Sequence, residues 1–216
     1  AYRAARRRAW LRATRLAVHS EAERRQSEVA HGGPWPDSKV VIRGHSAFLY
    51  KHRDVGKAEA RRELGIDSEA FLFLCIGFVS EHKGFHLAVE AMKAVRHPEA
   101  RLAIVGSVRD DDPAAMAFAE RLRRLATEGG RVEFREQFLT DEEYDTWNAA
   151  ADVIVAPYLN AFSSGVVARA KLFGKPVIVT DVGGLVDQTG PEDWVVSSPE
   201  GVADAMQQAI EARPCA

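Results

Sequence analysis

Phe71 to Ile76 is a run of six consecutive apolar residues, FLFLCI, with no polar alternation. A strand of that composition has to be covered on both faces. A parallel sheet flanked by helices provides that cover, and a half-solvated antiparallel sheet does not. The pattern recurs. "RLAIVG" (101–106), "DVIVAPY" (152–158) and "PVIVTDV" (176–182) are further apolar strand segments, and "RVEFREQF" (131–138) has period-two character. "KVVI" (39–42) and "DWVVSS" (193–198) are shorter strand candidates. Between them lie helical stretches: Lys57 to Leu64, closed by Gly65; Lys83 to Val95; Pro113 to Ala126; a helix opened by the capping box of Thr140 and Glu143; Gly165 to Phe173, ended by Gly174; and a last one from Ser198–Pro199 to about Ala212. The alternation predicts an α/β fold, a Rossmann-like parallel sheet with helices on both faces. Crossovers should be right-handed, and a ligand should bind at the carboxyl ends of the strands.

The chain has 216 residues, 46% of them hydrophobic, enough for one α/β domain with an appendage. The appendage is the basic N-terminal segment, whose first thirty residues hold eight arginines against three glutamates. Trp10, Leu11 and Leu16 give it a thin apolar stripe, and "HGGPWP" (31–36) punctuates its end. The expected division is therefore a basic helical extension over 1–36, followed by a Rossmann-like domain over 37–216. A solvated helix is the plain reading of the extension. A peripheral contact with an anionic membrane face, or the end of a preceding domain, is the alternative. The start at Ala1 fits a processed or excised piece. A net charge of −2 argues against a nucleic-acid partner. Cys75, inside an apolar strand, and Cys215, next to the end, read as reduced thiols of a cytoplasmic protein. No stretch approaches the 18 apolar residues of a membrane span.

The loops at the predicted carboxyl edge are "GFVSEHKG", "GSVRD", "FLT", "YLNAFSSG" and "DVGG". They are rich in Gly, Ser and Lys. Two enter predicted helices through glycine, at Lys83–Gly84 and at Ser164–Gly165. A helix N-terminus offers free N–H groups and partial positive charge, and with a lysine nearby it suits a phosphate or diphosphate. The plain alternative is a solvated lysine in a first helical turn. The P-loop, the G-x-G-x-x-G dinucleotide fingerprint and the G-x-S-x-G elbow are all missing. His82 and His86 are four apart without an acidic third ligand, so no metal site is expected.

Five segments in order carry a resemblance: "ARRELGI" (60–66), "FLFLCIGFVSEHKGFHLAVEAM" (71–92), "RLAIVGSV" (101–108), "VEFREQFLTDEEYDTWNAAADVIVAPY" (132–158) and "GKPVIVTDVGGL" (174–185). Together they resemble the C-terminal half of the group-1, family 4 retaining glycosyltransferases, over about residues 38–213. "VHSEAERR" (18–25) looks like the last segment of that family's N-terminal domain, and "VIRGHSAFLY" (41–50) like its interdomain crossing. The resemblance implies one half of a GT-B fold that grips a nucleotide-diphosphate sugar. The other half would supply most contacts to the acceptor, a saccharide, lipid or other hydroxyl compound. Transfer would proceed with retention, with no cofactor and usually no metal, and not by this half alone.

Residue by residue, the resemblance implies a catalytic Lys83 beside the diphosphate, with Gly77, Phe78 and Gly84 in the same loop. Phe78 stands where many members have an arginine. Ser107 to Arg109 and Gln137, Phe138 and Leu139 match loops that flank the base, and Arg109 is a candidate for the missing charge. Gly183 and Gly184 match the loop near the sugar, with Asp187 where an acid is common. Two glutamates usual in the family fall at Ala161 and Arg169, neither acidic. "SSGVVARA" (163–170) instead resembles a branch with a Ser–Gly helix start. There Ser163, Ser164, Gly165 and Val166 would meet phosphate, and Arg169 would pair with a phosphate or with a neighbouring acid. A non-catalytic nucleotide-sugar-binding or partner-binding module is the alternative function.

Overall fold

The computed structural model describes residues 8–212 except 32, 46–48, 110 and 129. Cys215, the first seven residues of the basic extension, Gly32 of the punctuation and the middle of the 41–50 crossing lie outside the described residues.

Six parallel strands form the main sheet: β3 (Phe71–Ile76), β4 (Ala100–Gly106), β5 (Val132–Glu136), β6 (Val153–Ala156), β7 (Val177–Thr180) and β8 (Trp194–Val196), in the order β5-β4-β3-β6-β7-β8. All of β3, β6 and β7 is buried, as their continuous apolar runs require. The covering helices are α2 (Lys57–Leu64), α3 (Phe85–Ala94), α4 (Pro113–Thr127), α5 (Asp141–Ala150), α6 (Gly165–Leu172) and α7 (Pro199–Glu211). They lie on both sides of the sheet, with α3 against α7 and α2 against α5. The α/β parallel-sheet expectation therefore holds.

Local signals set several boundaries. Gly65 closes α2 in the left-handed conformation, φ 71°. Thr140 and Glu143 form both halves of the capping box of α5. Asp112 caps α4 by accepting from the N–H groups of Ala114 and Ala115. From β3 the chain runs outward through β4 to β5, then returns to place β6 on the other side of β3. The β3/β6 boundary is thus the switch point of the sheet, and it opens a crevice at the carboxyl ends.

The N-terminal segment departs from the expected all-helical extension. Residues 8–12 are helical, and α1 spans Glu21–His31. Leu16–Val18 is instead a strand, β1, which pairs in parallel with β2 (Val40–Ile42). Its sequence, LAV, offers no periodicity of its own; the pairing and the burial of Val18 decide it. Trp10 packs on Trp35, ring centroids 5.9 Å apart. Among the described residues no helix is long and apolar enough to cross a membrane.

Candidate functional site

The loops after β3 and β6 meet at the switch point. The N–H of Leu159 donates to the carbonyl of His82 at 2.8 Å. Gly84 sits at φ 63°, and a Cβ there would come within 2.0 Å of the Pro157 carbonyl oxygen. Gly84 is the N-cap of α3, so the helix is entered through this glycine as expected, but it begins at Phe85 and not at Lys83, because Glu81–Lys83 is a 3-10 turn. Gly84 lets the two loops touch and is buried. His82 lies on that turn, outside the α3 helix, with its ring against the Ser80 hydroxyl. His86 is edge-on to Phe118.

A cavity of about 450 Å³ opens over this meeting point. It brings together ten of the residues expected from sequence: Gly77, Phe78, Lys83, Ser107, Gln137, Phe138, Leu139, Gly165, Val166 and Arg169. Leu49, Gly106, Asp141 and Tyr144 join them without having been expected. Gly106 is fixed by close approach, since a Cβ on it would fall 1.8 Å from the Gly77 carbonyl oxygen.

Lys83 carries the positive charge at the β3 side. Its ammonium lies 3.9 Å from the centroid of the buried Tyr158 ring. Among the described residues it has no carboxylate or carbonyl partner. Burial holds its pKa down, to about 8. Sharing the cavity with it is the first turn of α6, where Gly165 and Val166 lie ahead of the helical ladder.

The Ser163–Ser164 pair is structural in this arrangement. The Ser164 hydroxyl caps α6 by accepting from Val167 N–H, and the residue is buried. The Gln188 side chain clasps the Ser164 backbone, accepting from its N–H at 2.7 Å and donating to its carbonyl at 2.9 Å. The expected phosphate contact through Ser164 N–H is therefore already filled by an amide oxygen. Ser163 Oγ is 3.0 Å from His45 Nε2, and His45 stacks on His19 at 3.9 Å. Gly183 and Gly184 lie beside that group, outside the cavity. Cβ atoms on them would strike the Ala161 carbonyl at 1.6 Å and the Ser20 hydroxyl at 2.4 Å.

Arg169 is buried and bound. Its Nε donates to Asp145 at 2.7 Å, one Nη to the Asp141 carboxylate at 2.8 Å, and the other to the Asp141 carbonyl at 3.0 Å. Burial works to lower its pKa, but these two acids raise it overall. Of the two expectations for Arg169, the neighbouring acid is the one realised here. Asp145 is fully buried and also accepts from the N–H groups of His52 and Arg53, tying the chain just after the 41–50 segment to α5. Arg109 lies over the Phe78 ring at 5.1 Å and lines an adjoining depression with Asp111, Glu136 and Gln137.

The comparisons agree with this geometry. A family profile, Glycosyl transferases group 1, matches residues 70–212. A D-inositol 3-phosphate glycosyltransferase of Streptomyces bingchenggensis is 31% identical over 180 residues, covering 80% of this chain and 39% of that protein. The enzyme of that name from Corynebacterium glutamicum strain R is 31% identical over 207 residues, covering 91% of this chain and 49% of that protein. The chain thus spans less than half the length of these two relatives. Among solved structures, sucrose-phosphate synthase from Thermosynechococcus elongatus superposes with TM-score 0.74 at 24% identity, covering 91% of this chain and 49% of its own. Anabaena HepE in complex with UDP superposes with TM-score 0.75 at 21% identity, covering 93% and 55%. These establish the fold as one half of a GT-B arrangement. With its profile matched across well over half its length, the chain belongs to the glycosyl transferases group 1 family.

Proposed function

We propose that this chain is the donor-binding half of a glycosyltransferase, and that its cavity holds a nucleotide-diphosphate sugar. The observation that carries this is the desolvated, unpaired ammonium of Lys83 sharing one cavity with the first turn of α6. Both direct positive charge at the same space, so a diphosphate gains from each. In transfer, the bond between the anomeric carbon and the phosphate oxygen breaks, its electron pair leaves on the diphosphate, and an acceptor hydroxyl oxygen forms the new bond while its proton passes to the leaving diphosphate. Lys83 stabilises the charge that grows on the leaving diphosphate. Retention of configuration, independence of a metal, and reliance on an N-terminal GT-B domain for the acceptor belong to the same proposal.

Calorimetric titration of UDP, GDP, ADP and their glucose conjugates into the chain tests it. At least one should bind, and Lys83→Gln should weaken that binding at least about tenfold, the loss of one charge-assisted bond. No uptake of any of them by the wild-type chain rejects the proposal.

One observation favours a second reading, a module that binds nucleotide sugars without transferring them. Arg169 stands where the family resemblance expects an acid, and it is locked by Asp141 and Asp145. Donor binding by the whole protein, with no glycosylated product from any acceptor and no donor hydrolysis, would establish that reading. A cytoplasmic location, with the arginine-rich segment resting on an anionic membrane, is part of the main proposal. Co-sedimentation with phosphatidylglycerol vesicles should fall when residues 1–15 are removed.

A further inference from the structure

The donor cavity is lined by both signs of charge. Lys83 and the first turn of α6 bring positive charge to it. Asp141, paired with Arg169 of α6, is the single acidic side chain lining it among the described residues. Asp141 is the first residue of α5, directly after the Thr140 cap, where the loop that leaves β5 ends. Its side chain is 55% exposed. Arg169 holds it, donating to Oδ1 at 2.8 Å, while His52 Nε2 stands 3.7 Å from Oδ2. The Arg169 bond keeps the carboxyl below the usual aspartate range, with His52 helping, so it is ionised at neutral pH. Three of the five N–H groups of Arg169 are taken by Asp145 and Asp141.

An ionised carboxylate only accepts hydrogen bonds. It repels phosphate, so the part of the ligand that reaches it must present donors, and neighbouring hydroxyls suit its two oxygens. Sheet order says which hydroxyls. Lys83 and Gly165 follow the two central strands, β3 and β6. Gly183 and Gly184 follow β7, on one side; Gln137 to Asp141 follow β5, on the other. A nucleotide sugar anchored by its diphosphate at the centre must send its sugar one way and its nucleoside the other. The β5 side supplies the exposed ring of Phe138 and the amide of Gln137, which suit a planar base.

We propose that Asp141, held in place by Arg169, accepts the 2′- and 3′-hydroxyls of the donor ribose. This rests on the donor-site reading above. Asp141 selects ribonucleotides over deoxyribonucleotides, and Arg169 acts as a positioning residue that holds the Asp141 carboxylate.

The test compares the tightest-binding of UDP, GDP and ADP with its 2′-deoxy and 3′-deoxy forms, by calorimetry. In the wild-type chain each deoxy form should bind about tenfold more weakly. In Asp141→Asn that preference should shrink to about twofold or less, while Lys83→Gln weakens all three forms alike and keeps the preference. Equal wild-type affinity for ribo and deoxy forms overturns the assignment, and that arm needs no variant to fold. An undiminished preference in a folded Asp141→Asn chain overturns it too. If none of the three diphosphates binds the wild-type chain, the donor-site reading itself falls, and this assignment with it.

Discussion

Lys83 and Lys175 stand at opposite ends of the same sheet, Lys83 beyond the carboxyl end of β3 and Lys175 just before the amino end of β7. Burial brings both ammonium groups down to about 8. Their partners differ. Lys175 donates to the carbonyls of Ala149 at 2.8 Å and Ala151 at 2.7 Å, closing the end of α5. Beside it Asp152 pairs with Lys57 and with Arg61 and accepts from Leu72 N–H. Lys83 faces an aromatic ring and an open cavity. Equal desolvation therefore has two meanings. At the amino edge the charge is consumed by the fold. At the carboxyl edge it is left without an anion, and a ligand can supply one. A lowered lysine pKa alone does not distinguish the two; the inventory of acceptors does.

The comparison breaks most visibly at Asp152. Asp152→Ala strips the partner from two cations, Arg61 among them nearly fully buried, and orphans the Leu72 N–H. We expect urea denaturation to show a loss of about 3–5 kcal/mol, with nucleotide affinity of the folded fraction unchanged. Lys83→Gln should do the reverse. Affinity for a nucleoside diphosphate should fall by about 1.5–3 kcal/mol, while the denaturation midpoint holds or rises slightly, because a desolvated charge is gone. A smaller effect is expected from Lys175→Met. Two carbonyls lose a donor but a partly buried charge is also removed, so the loss of stability should be about 1–2 kcal/mol, again without effect on binding. If Lys175→Met weakened nucleotide binding as much as Lys83→Gln, the division of roles between the two edges would be wrong.

What could be read beforehand was what is local. The buried strands, the Gly65 stop and the capping box at Thr140 each depend on a few neighbouring residues, and each formed as read. What could not be read depends on partners far along the chain. Gly84 opens α3 as read, but the Pro157 carbonyl that packs against it and requires a glycine there was not legible. Ser164 looked like an anion donor until Gln188, from the loop after β7, took its N–H. Leu16–Val18 shows no strand pattern and becomes one by lying beside Val40–Ile42. Asp141 was hidden for a different reason. Three acids open α5, the ordinary complement to a helix dipole, and nothing in "TDEEYD" marks the first as the one turned toward the cavity. Arg169 read as a defect in the family pattern, and its meaning emerges only once Asp141 and Asp145 are seen on either side of it.

The finest separation of the two lysines uses protons. Each is held at about 8 when folded and has an ordinary value of 10.5. Between those values the unfolded chain keeps protons that the folded chain has released. Stability should therefore rise with pH from about 8 to about 10.5, with both lysines contributing. Either Lys83→Gln or Lys175→Met should flatten that rise, so stability alone does not tell them apart. Binding does. A diphosphate favours the charged ammonium of Lys83 and raises its pKa, so binding near pH 9 should draw a proton from the buffer, whereas at pH 6.5 Lys83 is already charged and contributes no uptake. The other titratable groups nearby stay out of that window. Burial and Lys83 push His82 below its ordinary value, burial pushes the Tyr158 phenol upward, and Asp141 and Arg169 hold each other ionised. Calorimetry in buffers of different ionisation heat reads the uptake directly. It should persist in Lys175→Met and vanish in Lys83→Gln. Uptake that survived in Lys83→Gln would mean that another group, and not this ammonium, meets the phosphate.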